Sequence, residues 1–197
     1  MKRHFTLKRF LTAAMVLSMV SISLISITNT GGPPAGYSNA PSESNCTTCH
    51  SGSLVTSGTN YNNISLSGNF TGSGYIPDST YTIELDYSQT GKTKFGYQLT
   101  CLTSANAMAG SFAVISGNSK SSIISGSFGG GTRSYMRQTS AGTAATSGAQ
   151  TWSFNWTAPS SNVGPIKFYT VVNSTNSSNT NASDVIIAKE FSFSPST

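Results

Sequence analysis

The sequence predicts an all-β chain folded as an antiparallel sandwich of Greek-key type, and three observations carry the prediction. Apolar and polar residues alternate without a break in Tyr81-Thr82-Ile83-Glu84-Leu85-Asp86-Tyr87, the period of a strand with one face in a core. Turn-forming clusters recur at short intervals: Gly72-Ser73-Gly74, Gly129-Gly130-Gly131, Ala158-Pro159-Ser160 and the Asn/Ser/Thr run from Asn173 to Ser183. No stretch after residue 30 sustains a helical period.

The chain opens on a basic head, Met1 to Arg9, followed by the apolar, uncharged run Leu11 to Ile27. This is the pattern of a secretory signal peptide over residues 1–30, with Thr28 and Thr30 preceding a cleavage site at Gly31. A run of about 17 residues can also just span a bilayer. An uncleaved membrane anchor is therefore the rival reading. Without the leader, seven basic residues face six acidic ones, so the +5 of the whole chain falls to +1. That balance leaves no basic face for nucleic acid and no charge run for anionic lipid. Charged residues make up only 9% of the chain, displaced by Ser, Thr, Asn and Gly as in secreted β-proteins. What remains, residues 31–197, has the size of one domain.

Residues 31–60 are rich in Gly, Pro and Ser and read as an irregular loop packed on the rest. The sandwich is expected over 61–197. Its strand candidates are Ile64 to Phe70, Tyr81 to Tyr87, Phe95 to Cys101, Phe112 to Ile115 and Ile123 to Phe128. Ser134 to Gln138, Trp152 to Trp156, Ile166 to Val172 and Val185 to Phe193 complete the set. Alternation places Ile83, Leu85, Trp152, Phe154 and Trp156 in the core and Glu84 and Asp86 in solvent. Cys101 falls with Phe95, Tyr97 and Leu99 and reads as a buried, inert thiol. Arg133 and Arg137 read as solvated side chains, with haem propionates as the other use open to them.

The loop 31–60 contains Cys46-Thr47-Thr48-Cys49-His50, two thiols three residues apart followed at once by histidine. This is the spacing of a covalent haem attachment site. Cys46 and Cys49 can add to the two vinyl groups of one haem c, and the imidazole of His50 can ligate its iron from one face. The same cysteines admit a Cys46–Cys49 disulfide, which leaves the histidine unexplained. A zinc site completed by Cys101 and a carboxylate is a third reading, although Cys101 lies 52 residues beyond Cys49 and gives no finger spacing.

Elimination narrows the second axial ligand. His4, Met1, Met15 and Met19 leave with the leader, so His50 is the one remaining histidine and Met108 and Met136 the remaining thioethers. Met108 lies in a small-residue loop and Met136 in a strand; either is a candidate second iron ligand, and an open sixth position is the alternative. The lone histidine also excludes a Ser-His-Asp set, and Glu84 and Asp86 do not face each other for acid–base work. A non-enzymatic electron carrier is the expectation, with catalysis on a small molecule only through an open iron position.

Several blocks together resemble a family. They are Gly32-Pro33-Pro34-Ala35-Gly36-Tyr37, Ala40-Pro41, Asn45 to Gly52, Lys94 to Leu99, Trp152 to Pro159, and Val163-Gly164-Pro165-Ile166. The chain resembles bacterial secreted proteins with a Reeler-like (reelin-type) domain, also described as a choice-of-anchor domain. The resemblance implies an immunoglobulin-like β-sandwich with an N-terminal irregular haem-motif loop, cell-surface, secreted or periplasmic placement, and haem binding in members that carry the cysteine motif. A histidine often falls near the position of Gln138 in this family; the glutamine here shifts the expected second ligand to Met136 or Met108. The function expected is an exported single-haem c-type cytochrome passing electrons to a redox partner protein or an extracellular acceptor, with self-assembly a further option. The alternative is a cell-surface adhesion or matrix-binding sandwich whose Cys46–Cys49 pair is a structural disulfide.

Overall fold

The computed structural model describes residues 31–70, 74–175, 177 and 181–196. The leader reading of residues 1–30 lies outside the described residues. Among the described residues no helix is long and apolar enough to cross a membrane.

Each alternating segment forms a strand. The strands are β1 (Leu54–Val55), β2 (Ile64–Gly68), β3 (Gly74–Tyr75), β4 (Thr80–Ser88), β5 (Phe95–Thr103), β6 (Ser111–Ala113), β7 (Ser121–Phe128), β8 (Gly131–Gln138), β9 (Ala149–Thr157), β10 (Ile166–Ser174) and β11 (Val185–Pro195). One turn of helix, α1 (Thr59–Asn62), precedes β2. The larger sheet runs β1-β11-β10-β5-β8-β7 with β3 also on β11, and the smaller runs β2-β4-β9-β6. Pairing is antiparallel except where β1 and β3 join β11 in parallel. Those two strands are two residues each and too short to show a period, which is why the alternation pattern does not reveal them.

The two sheets face each other across an aromatic core. Ile83, Leu85, Trp152, Phe154 and Trp156 are fully buried, while Glu84 between them is exposed. Asp86 is half-buried and accepts a hydrogen bond from the Thr151 hydroxyl. Trp156 lies edge-on to Phe168 at 5.2 Å, and Tyr97 sits 4.6 Å from Trp152. The polar tips inside this core are satisfied: Trp152 Nε1 donates to the Gly142 carbonyl at 2.8 Å and Trp156 Nε1 to that of Ala109 at 3.0 Å.

β5 departs from the expected half-buried pattern, being buried from Phe95 through Leu102 on both faces. The cause is the N-terminal segment, which crosses the outer face of the larger sheet. Gln98 on that face accepts from the Tyr37 amide at 2.5 Å and donates to the Pro34 carbonyl at 2.7 Å. Arg137 donates to the Pro33 carbonyl at 2.8 Å. Arg133 donates to the Pro41 carbonyl at 2.8 Å and to Glu43 Oε1 at 2.6 Å, and Tyr135 donates to the same oxygen at 2.7 Å. Gly36, at φ 88°, passes so close to the Phe128 ring that a Cβ there would fall inside it. The two arginines are thus fasteners of the segment rather than solvated side chains, and Arg133 is only 1% exposed.

Candidate functional site

The segment ends in the cysteine motif, seated at the β10 and β11 end of the same outer face. Asn45 starts a 3₁₀ turn over Cys46–Thr48 by accepting from the Thr47 amide at 3.0 Å. The Cys49 and His50 amides both return to the Cys46 carbonyl, at 3.2 Å and 2.9 Å. Side chains three apart eclipse in a 3₁₀ turn, so Cys46 and Cys49 project from one flank. Both are free thiols; Cys49 is exposed, whereas Cys46 packs with Val171, Ile186 and Ala188. Burial, then the neighbouring Cys49, push the Cys46 thiol up to about 12, with Asp184 adding a smaller push in the same direction. Cys46 therefore sits neutral in an apolar pocket, an environment that suits an uncharged thioether equally well.

His50 is held from the opposite end of the sequence. Its Nδ1 lies 2.6 Å from Asp184 Oδ2, with the histidine side chain 24% exposed and the aspartate 1%. Asn173 of β10 brings its Nδ2 within 3.2 Å of Nδ1, 3.3 Å of Nε2 and 3.4 Å of the Asp184 carboxylate. Among the described residues, Asn173 Oδ1 is buried without a hydrogen-bond partner. Backbone pairing sets this meeting. Ser51 bridges Ala182 in parallel, and β1 resumes the parallel pairing one residue out of that register, with Leu54 against Ile186. Gly52 makes the approach possible, because a Cβ there would overlap the Asp184 carbonyl. Asn181 Nδ2 closes the arrangement by donating to the Cys49 carbonyl at 2.6 Å.

The structure gathers Cys46, Cys49 and His50 and places the other candidates elsewhere in the fold. Met136 pairs with Leu99 and is fully buried in the core between the sheets, so the larger sheet itself stands between it and His50. Met108 bridges Leu102, whose β10 partner is Lys167, six residues along that strand from Asn173. At about 3.3 Å per residue this puts it on the order of 20 Å from the histidine. The fold thus places neither methionine beside His50, contrary to what the expectation of a thioether ligand requires. Cys101 is also in the core and cannot complete a zinc site with Cys46 and Cys49. Among the described residues no group of three or more His, Cys, Asp and Glu side chains is arranged to hold a bare metal ion.

Asp184, Asn173 and Asn181 have no motif in the sequence. The one available signal is that Asp184 is a lone charge at the end of a long Asn/Ser/Thr run, a segment that otherwise reads as a turn.

The donor set fits a c-type haem in three respects. The two thiols share a flank, the imidazole has Nδ1 engaged by the Asp184 carboxylate while Nε2 has only the Asn173 amide nitrogen at 3.3 Å beside it, and among the described residues the buried Asn173 Oδ1 has no hydrogen-bond partner.

No family model matches the chain, and no curated protein matches it. Among solved structures, the Reelin-N domain of F-spondin superimposes with a TM-score of 0.53 at 14% identity, covering 74% of this chain and 93% of that one. The human F-spondin reeler domain gives a TM-score of 0.48 at 15% identity, covering 72% and 94%. The first of these likenesses establishes a Reeler-like sandwich fold.

Proposed function

We propose that this protein is an exported single-haem c-type cytochrome, carrying electrons at or outside the cell envelope to a redox partner protein or an extracellular acceptor. The observation that carries the reading is the Cys46-x-x-Cys49-His50 turn with its imidazole Nδ1 held by a buried carboxylate. When bound, haem c supplies a one-electron iron couple. Cys46 and Cys49 would hold it covalently and His50 would ligate it. Val171, Ile186 and Ala188 give the Cys46 side an apolar seat, while exposed Cys49 keeps the other side open to solvent. The basic head and apolar run of residues 1–30 support export, the step that brings such a motif to the compartment where haem is attached.

The test is haem staining after denaturing electrophoresis of protein made with a haem-maturation system. Stain is expected on the wild-type band and lost with Cys46→Ala plus Cys49→Ala; an unstained wild type overturns the reading. A second reading is compatible with the same fold and with the two free thiols in one turn: a cell-surface adhesion sandwich with a Cys46–Cys49 disulfide. An unstained protein whose Cys46–Cys49 peptide becomes 2 Da lighter on oxidation, by mass spectrometry, would support the disulfide of that alternative.

A further inference from the structure

We propose that Asp184 is a positioning residue for the iron ligand: its buried carboxylate holds His50 as the Nδ1–H tautomer, reserves Nε2 for iron and lowers the reduction potential of the site. The inference rests on the haem reading of the motif.

A ring nitrogen that donates its proton to a carboxylate cannot at the same time bind a metal, so the 2.6 Å contact at Nδ1 selects Nε2. The contact is short, as charge-assisted hydrogen bonds are. With the Asp184 side chain 1% exposed, solvent screens its charge little. A carboxylate accepting the Nδ1–H hydrogen bond draws the proton toward itself and makes the imidazole a stronger electron donor, which favours the ferric over the ferrous state. Three separate features fix the carboxylate. The Ser51–Ala182 bridge brings the two segments together, Gly52 admits the close backbone approach, and Asn173 Nδ2 of β10 lies 3.4 Å from the Asp184 oxygen and 3.2 Å and 3.3 Å from the two ring nitrogens. They converge on one ring.

The experiment uses the full chain matured with covalent haem. Asp184→Asn, nearly isosteric, should raise the reduction potential by at least tenfold in the ferric/ferrous equilibrium, about 59 mV for one electron. Asp184→Glu should recover part of that shift. An unchanged potential in a haem-loaded Asp184→Asn protein overturns the role of Asp184 and leaves the haem reading standing. A wild type that takes up no covalent haem fails both. Should Asp184→Asn not fold, ¹⁵N NMR of the unloaded wild type decides: a proton on His50 Nδ1 supports the inference, and a proton on Nε2 alone overturns it.

Discussion

Arg133 Nη1 lies 2.6 Å from Glu43 Oε1, with the two side chains 1% and 0% exposed, and this buried ion pair joins the N-terminal segment to β8. Removing one partner strands the other charge, at a cost of about 3–5 kcal/mol. Glu43→Gln should therefore lower the urea midpoint substantially and open residues 31–50 to proteolysis. A midpoint and digestion pattern identical to wild type would show that the segment is held by other means.

The core prediction contrasts neighbours on one strand. Leu85→Asp places an unpaired charge at a fully buried position and should abolish the cooperative unfolding transition, whereas Glu84→Gln, at an exposed one, should shift stability by less than about 0.5 kcal/mol. Circular dichroism and denaturant titration of the two variants check it.

The thiols should differ in reactivity before any haem is attached. Cys49 is exposed, while burial holds Cys46 up to about 12 and Cys101 well above the ordinary thiol value. Alkylation near pH 8, read by mass spectrometry, should label Cys49 and spare the other two. Because the folded-state value of Cys46 lies above the unfolded one, its stabilising effect is complete below about pH 9 and is lost as pH rises toward 12. Cys46→Ala should flatten alkaline unfolding in that window; equal labelling of all three cysteines would contradict the burial.

The methionines supply a spectroscopic prediction. Met136→Ala should cost about 2–5 kcal/mol as a core cavity, and neither it nor Met108→Ala should alter the visible spectrum of the haem-loaded protein. Loss of a long-wavelength ferric band in either variant would place a thioether on the iron after all.

Much of this protein is legible along the chain, because its signals are local. A period of two marks β4, β5 and β9, and the spacing of Cys46, Cys49 and His50 specifies the motif within five residues. What tertiary structure alone decides is every relationship that runs through a sheet. β5 reads as half-buried because its own residues say nothing of the segment that crosses it. Met136 reads as a reachable ligand because sequence position does not tell which face of the sheet a strand residue joins once neighbours are paired. Asp184 and His50 stand 134 residues apart, and only the parallel docking of residues 51–55 along β11 brings carboxylate and imidazole to 2.6 Å. Alternation is a property of one strand; which strands lie side by side, and what covers their outer face, is settled by hydrogen bonds and packing between segments distant in the chain.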